Sequence, residues 1–153
     1  MGTRSSIAVN HNGVIKAVYC HYDGYLSNNG AILLKHYHSA KANYLVAMGN
    51  ISSLGTDIGE AHDFEARFGT MCTYTEDGWR TDTNFYGRDR GEEDQEWRSF
   101  QSEAEWIKYY TDCGCEYFYL MDGGVWYVTE GDPQLVPLHE AIEQGIEQEE
   151  MSK

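Results

Sequence analysis

A short stretch near the N-terminus, YCHYDGY, begins at Tyr19 and places a thiol, an imidazole, a carboxylate and three phenols within seven residues. The residues before it alternate as in a strand, and strand side chains alternate between two faces. Tyr19, His21 and Asp23 then share one face. These groups are suited to a general base oriented by a carboxylate, or to a polar rim for a ligand. Cys20 and Tyr22 share the other face, where we predict that they pack in the core.

A second group of reactive side chains lies in YGRDRGE, where Arg88 and Arg90 flank Asp89. On an extended segment the two guanidinium groups project the same way and form a fork suited to a phosphate or carboxylate. The alternative is that the arginines pair within the chain with the carboxylates that follow at 92–94. The sequence leaves both possibilities open.

If these two groups converge in the fold, which the sequence does not show, they form a site for a nucleotide or another phosphorylated small molecule. Its ligand-binding residues are then Tyr19, His21, Asp23, Tyr25, Arg88 and Arg90. In a catalytic form of this site, His21 acts as the base and Asp23 orients it. The sequence contains neither G-x-x-x-x-G-K-[ST] nor G-x-G-x-x-G, so a nucleotide pocket here is of an unfamiliar kind.

Other catalytic and metal chemistries have weaker support. Ser52 and Ser53 in ISSLG lack the flanking glycines of a nucleophile elbow. His36 and His38 point away from each other on a helix, so they are not a chelating pair. The four cysteines are interpreted as free thiols, because they are too few for a disulfide scaffold in a chain of this length. We therefore predict no metal site and no cofactor, and expect binding rather than catalysis.

Charge is distributed unevenly along the 153 residues. Residues 1–50 have a balance of +3 and residues 51–153 a balance of −17, which gives a net charge of −14. The acidity is concentrated in GEEDQE at 91–96 and in EAIEQGIEQEE at 140–150. Such a field repels nucleic acid and attracts basic surfaces, including the DNA-binding clefts of other proteins. The alternative is that the charge only maintains solubility.

Length and composition indicate one soluble domain. A chain of this size buries roughly two thirds of its unfolded surface without disulfides or metals. The aromatic content of 14% predicts a core built from large rings. There is no apolar run of about 18 residues and no signal-peptide pattern, so we expect a cytoplasmic protein that does not enter a membrane.

The periodicity predicts a single α+β domain over 1–132, with a mostly antiparallel sheet built from hairpins and three to four helices packed on it. Turn signals separate the predicted hairpins, which cover residues 7–22, 70–86 and 115–129. A short strand is predicted over 97–100. Residues 50–69 have little periodicity and are predicted to be a long loop with one or two helical turns.

Helices are predicted over 31–38, 40–48 and 102–112. Ser39 is the candidate N-cap of the second helix, with Gly49 at its end. Ser102 and Glu105 form a capping box for the third, which should turn Trp106, Ile107 and Tyr110 inward. Residues 133–153 are predicted to form an acidic amphipathic helix that packs on the domain or extends from it.

Four sequence motifs in a fixed order resemble a group of small acidic proteins carried by bacteriophages and occasionally by bacterial mobile elements. They are SIAVNHNGVIKAVYCHYDGYLSNNGAILLKHY, YLVAMGNISSLG, FYGRDRGE and CEYFYLMDGGVWYV. The resemblance covers most of residues 6–129. It implies a viral or accessory setting, in which small proteins often block host defence or redirect host machinery, but it implies no particular activity or catalytic residue.

Two hypotheses of different classes follow. The first is a non-enzymatic inhibitor whose acidic face binds a basic surface of a host protein, for example by imitating DNA. Its candidate partner-binding residues are Glu92, Glu93, Asp94, Glu96, Glu140, Glu143, Glu147, Glu149 and Glu150. The second is the phosphorylated-ligand site, through which the protein would sequester a host signal. We favour the first, because charge is the strongest compositional signal. The aromatic hairpin at 117–127 belongs either to the core or to a homodimer face.

Overall fold

The computed structural model describes most of the chain, namely residues 3–59, 75, 79, 81–132 and 134–151. Side chains of 145–151 are not part of this description. The strands in the described part are β1 (Ser5–His11), β2 (Val14–Cys20), β3 (Ile51–Ser53), β4 (Asn84–Phe85), β5 (Arg98–Phe100), β6 (Tyr117–Asp122), β7 (Val125–Thr129) and β8 (Val136–Pro137). The α-helices are α1 (Ala31–His36), α2 (Ser39–Ala47), α3 (Glu103–Asp112) and α4 (Leu138–Met151), and a π-helical turn spans Leu26–Gly30.

The eight described strands form one mixed sheet. Its order is β4-β3-β2-β1-β6-β7-β8, and β5 pairs with the first half of β2. Most pairs are antiparallel, whereas β1 pairs with β6 and β2 pairs with β3 in parallel. The predicted α+β fold class with a mostly antiparallel sheet is confirmed.

Two of the predicted hairpins are present. In the first, Asn12 and Gly13 have φ of 52° and 85°, the left-handed conformations that a two-residue hairpin turn requires. In the other, Gly123 and Gly124 have φ of 60° and 85° between β6 and β7. The hairpin predicted over 70–86 falls largely outside the described residues.

The prediction of a loop over 50–69 is wrong for Ile51–Ser53, which forms β3. These residues form a strand because β2 and the residues after it supply their backbone hydrogen-bond partners, which are distant in the sequence. The His21 N–H donates to the Ile51 carbonyl at 3.0 Å, and the Tyr22 N–H donates to the Ser52 carbonyl at 3.1 Å. Residues 60–69 lie outside the described part of the chain.

The helix ends agree only partly with prediction. Helix α2 begins at Ser39, so this residue is not the N-cap, and the preceding His38 makes no side-chain capping bond. Ser102 caps α3 as predicted, since its Oγ accepts the Glu105 N–H at 3.2 Å. The Glu105 carboxylate accepts the N–H of Gln101 at 3.1 Å. In an ordinary capping box this carboxylate accepts the N–H of the N-cap residue, so the bond here lies one residue earlier in the chain.

Helices cover both faces of the sheet. Helices α1, α2 and α4 pack over one core cluster, which includes Val18, Cys20 and Phe85. Helix α3 packs over a second cluster on the opposite face, with Trp106, Ile107 and Tyr110 buried as predicted.

The aromatic hairpin of β6 and β7 belongs mainly to the core. Phe118, Tyr119 and Trp126 are buried, and the Trp126 indole N–H donates to the Tyr37 carbonyl at 2.7 Å. Homodimer formation stays a prediction.

Candidate functional site

Tyr19 and His21 meet at the end of β2, on the face that α3 covers. Tyr19 packs against the second core cluster, and its N–H donates to the Asn50 side-chain oxygen at 2.9 Å. Strand β5 pairs with residues 15–17 of β2 and β3 pairs with Cys20. The bond to Asn50 satisfies the N–H of Tyr19, which lies between these two pairings. The Tyr19 phenol oxygen lies 2.7 Å from His21 Nδ1. The structure thus brings these two side chains together on one face, as predicted.

The protonation states of this pair follow from their surroundings. Burial raises the pKa of Tyr19 to about 12, so the phenol is protonated at neutral pH. Burial, and then the positive charges of Arg4 and Arg90, lower the pKa of His21, so the imidazole is neutral. Both groups are satisfied when the Tyr19 O–H donates to Nδ1. The imidazole proton then resides on Nε2.

The chain turns after His21, and two predictions fail there. Tyr22 is 43% exposed, with its ring edge-on to His21 at 4.5 Å between centroids, so its assignment to the core is wrong. Asp23 has φ of 56°, which ends the strand alternation, and the hydrogen bond that orients His21 comes from Tyr19. Burial raises the pKa of Tyr25, and the adjacent Asp23 carboxylate raises it further.

One arginine of the second motif, Arg90, stacks on the Tyr86 ring. The Arg90 guanidinium carbon lies 5.2 Å from the centre of the Tyr86 ring, and Nε lies 3.6 Å from the Glu92 carboxylate. The Tyr86 N–H donates to the Asn50 carbonyl at 3.2 Å. After burial and Arg4, the positive charge of Arg90 also contributes to lowering the pKa of His21.

Arg4 was not singled out in the sequence, because an isolated basic residue forms no motif. The pairing of Ser5 with Cys20 carries it to the end of β2. Its Nη1 donates to the Cys113 carbonyl at 3.3 Å, and its charge acts on the Tyr19 and His21 side chains.

Arg88 has a different role, and the parallel fork with Arg90, one of the two possibilities that the sequence left open, is not what the structure contains. Arg88 Nε and Nη2 contact the two carboxylate oxygens of Asp89 at 2.9 and 3.1 Å. Further Arg88 donors reach the carbonyls of Ile58, Gly59 and Thr83. Residues 86–90 form turns instead of an extended segment, so the two guanidinium groups diverge. Arg90 pairs with Glu92, as the alternative predicted, whereas the carboxylate partner of Arg88 is Asp89 rather than one at 92–94.

The acidic segment after Arg90 lines a cleft of about 440 Å³, which we call the acidic cleft. Its lining comprises Ala47, Met48, Gly49, Gly87, Glu92, Glu93, Asp94, Gln95, Glu96 and Trp97. The four carboxylates are exposed. The Trp97 ring is 38% exposed and stacks with the Lys16 ammonium 4.8 Å from its centre.

Hydrogen bonds hold the acidic segment against the end of α2. The Asn50 N–H donates to the Gln95 carbonyl at 2.8 Å, and the Asn50 amide donates to Gln95 Oε1 at 3.1 Å. Gln95 Nε2 in turn donates to the Glu93 carbonyl at 3.1 Å. The backbone of the cleft wall is thus fixed by the protein itself.

The second acidic group lies at the other end of the sheet. Helix α4 packs on β7, β8 and α1, with Leu138 buried and Glu140 and Glu143 exposed. Glu147, Glu149 and Glu150 lie in the same helix, but their side chains are outside the described part. The predicted partner-binding residues whose side chains are described therefore form two groups, one in the segment 92–96 and one on α4.

Among the described side chains, no group of three or more His, Cys, Asp or Glu residues is arranged to hold a metal ion. In the same part of the chain, no helix is long and apolar enough to cross a membrane. Comparison with models of protein families, with curated proteins and with solved structures gave no match.

Proposed function

We propose that this protein acts by binding, and that the acidic cleft receives a basic surface of a partner protein. The observation that carries the proposal is the composition of this cleft, in which four exposed carboxylates stand beside Met48 and the Trp97 ring. A lysine or arginine side chain has a charged end and an apolar stem. The carboxylates suit the charged end, and the apolar wall suits the stem.

The rigidity of the cleft wall also supports binding. Because hydrogen bonds from Asn50 and Gln95 already fix the acidic segment, less conformational freedom is lost when a partner arrives. Trp97 already stacks with one cation, Lys16, so the ring is suited to cation–π contact. Carboxylates on a fixed backbone also speed association with a basic surface, and salt weakens this effect.

In the phage or mobile-element setting that the sequence resemblance implies, the partner is a host protein that handles nucleic acid or acts in defence. The bound protein inhibits this partner by covering its basic site. The carboxylates of the cleft then occupy positions where the partner would meet phosphates. This role belongs to the cytoplasm of a bacterial host.

Capture of partners from a nuclease-treated bacterial lysate, at low and at high salt, tests the proposal. The variant E93K/E96K reverses two carboxylates of the cleft, and E140K/E143K reverses two exposed carboxylates of α4. Both variants change the net charge equally. We expect a basic protein that the unmodified chain and E140K/E143K retain at low salt, that high salt releases, and that E93K/E96K does not retain.

Trp97→Ala provides a second measurement, because it leaves the charge of the cleft unchanged. Titration of the captured, purified partner should give weaker binding to Trp97→Ala than to the unmodified chain. Equal binding of the partner to E93K/E96K and to E140K/E143K would exclude the cleft as the binding site. Circular dichroism of each variant checks that the fold is retained.

A further inference from the structure

The solvent-facing side of α2 leads directly into the acidic cleft and carries no charge. Ala47 belongs both to this side of the helix and to the lining of the cleft. Side chains three and four residues apart lie on one face of a helix, so Tyr44 and Ala40 continue this side away from the cleft. We call its exposed residues the α2 face; they are Ser39, Ala40, Asn43, Tyr44 and Ala47. In a chain with a net charge of −14, a face without charge is suited to contact rather than to solvation.

We propose that the α2 face and the acidic cleft form one continuous binding surface that a single basic partner protein covers. A neutral or apolar segment of the partner lies on the α2 face, next to the lysine or arginine that enters the cleft. This inference rests on the proposed function and extends it from a charged contact to a mixed one. Tyr44 then lies near the centre of the contact, and the carboxylates lie at one end.

Tyr44 has the exposure and the neighbours of a contact residue. It is 58% exposed, the largest fraction among the exposed large hydrophobic residues in the described part of the chain. Tyrosine is enriched among the residues that contribute most to protein–protein binding, because its rigid ring buries a large area at a small cost in conformational entropy. Ala40 and Ala47 on either side of it are small, so the backbone of a partner can approach the ring.

Helix α2 presents this face in a fixed position. Its opposite side is buried in the core, and Lys41 ties the helix to the loop after β3 by donating to the Thr56 carbonyl at 2.9 Å. On the face itself, the Asn43 amide donates to the Ser39 carbonyl at 2.8 Å. One amide N–H therefore has its hydrogen bond before a partner arrives, which lowers the desolvation cost of covering the face.

The electrostatics of α2 determine where the partner segment is basic. A helix carries a partial negative charge at its C-terminal end, and α2 ends at Ala47, in the wall of the cleft. The last turn of α2 contains no basic residue that would offset this charge. The helix end and the carboxylates of the cleft therefore attract a cation at the same place, whereas the rest of the α2 face favours a neutral segment.

The same charges argue against a second copy of this chain on the α2 face. The face is only about 10 Å long from Ala40 to Ala47, so a symmetric contact centred on it brings both acidic clefts into the interface. Each cleft contributes four exposed carboxylates, and like charges brought together oppose association. A basic partner gains from charges that a second copy has to overcome.

Two synthetic peptides test the proposal with the full-length chain. Both carry a run of lysines for the cleft; one continues with alternating leucine and alanine, and the other with alternating glycine and serine. Each is made with the lysines at the N-terminal or at the C-terminal end, so that both directions along α2 are sampled. Nuclear magnetic resonance titration at low salt measures the affinities. We expect the leucine–alanine peptide to bind roughly tenfold more tightly, because burial of about 50–60 Å² of apolar surface contributes that factor.

Tyr44→Ala removes the ring and leaves the charge of the chain unchanged. It should reduce the affinity of the leucine–alanine peptide to that of the glycine–serine peptide, which it should not affect. Ala40→Gln adds a longer side chain at the end of the α2 face that is remote from the cleft, and it should also weaken only the leucine–alanine peptide. Tyr25→Ala is the matched control, because Tyr25 is also exposed, at 40%, and lies outside both α2 and the cleft lining. Both affinities should stay unchanged in this variant.

Failure of this inference is distinguishable from failure of the proposed function. Equal affinities of the two peptides, or an unchanged affinity of Tyr44→Ala for the leucine–alanine peptide, would overturn the inference alone. Binding of neither peptide, or binding that E93K/E96K does not weaken, would contradict both proposals. Sedimentation velocity provides a further check: a dimer of the unmodified chain that Tyr44→Ala dissociates would assign the α2 face to a second copy and overturn the inference.

Discussion

The guanidinium of Arg88 and the carboxylate of its neighbour Asp89 meet through two contacts, of 2.9 and 3.1 Å, inside the protein. The Asp89 side chain is fully buried, and its Oδ2 also accepts the Phe85 N–H at 2.7 Å. Arg88 extends from this pair to the carbonyls of Ile58 and Gly59. The pair therefore joins the turn after β4 to the loop after β3.

Removing one member of this pair should destabilise the protein strongly. We expect Arg88→Ala to lower the free energy of unfolding by about 3–5 kcal/mol, because it removes two charge-assisted contacts to the buried Asp89 carboxylate. Arg90→Ala is the control, since its pair with Glu92 is partly exposed and such pairs contribute about 0–1 kcal/mol. Urea denaturation measures both. Similar losses for the two variants would contradict a structural role specific to Arg88.

Gly49 should tolerate no side chain, because it determines how closely the acidic segment approaches α2. Its φ is 94°, and an added Cβ would collide with the Gln95 carbonyl oxygen. We expect Gly49→Ala to cost more than the roughly 1–3 kcal/mol of a strained backbone alone and to weaken binding at the acidic cleft. Gly13→Ala measures the cost of the strained backbone alone, because Gly13 has φ of 85° and an added Cβ there meets open space. Equal unfolding midpoints for Gly49→Ala and Gly13→Ala would show that the Gln95 carbonyl moves away from the added methyl group.

His21 should make stability depend on pH in a defined direction. Its pKa in the folded state is lowered, by burial and by Arg4 and Arg90, so the unfolded chain binds the proton more readily. Stability therefore falls as pH drops through the unfolded value of about 6.5 toward the lower folded value, and His21 contributes no pH dependence above about pH 7.5. Denaturation at about pH 7.5 and about pH 5.5 should show a smaller loss for His21→Gln than for the unmodified chain.

A matched variant makes this comparison specific. His11→Gln removes an exposed histidine at the end of β1. It should leave the pH-dependent loss close to that of the unmodified chain. A loss in His21→Gln as large as that in His11→Gln would mean that other groups cause the pH dependence.

The Ser102 cap of α3 should make a moderate contribution to the stability of the fold. Ser102→Ala removes the side-chain oxygen that accepts the Glu105 N–H and should lower the free energy of unfolding by about 1 kcal/mol. Ser102→Thr keeps a hydroxyl in the same position and should recover most of this loss. Chemical denaturation of both variants measures the difference, and equal stabilities would argue against a contribution from the cap.

Features that depend on a few neighbouring residues were predictable from the sequence. The Asn12–Gly13 turn follows from backbone sterics, because these residues adopt positive φ most readily. The Ser102 cap follows from the need to satisfy N–H groups at a helix start. The spacing of Trp106, Ile107 and Tyr110 likewise determined which side of α3 is buried.

The composition of the candidate site was decided only by the tertiary structure. Tyr19 and His21 are two residues apart, and strand alternation is enough to predict that they meet. Arg4 is brought to the end of β2 by the pairing of β1 with β2, and no local pattern encodes such a pairing. Arg88 and Arg90 look equivalent in the sequence. They diverge because Arg88 pairs with a buried carboxylate and with carbonyls about 30 residues away in the chain, whereas Arg90 stacks on the Tyr86 ring.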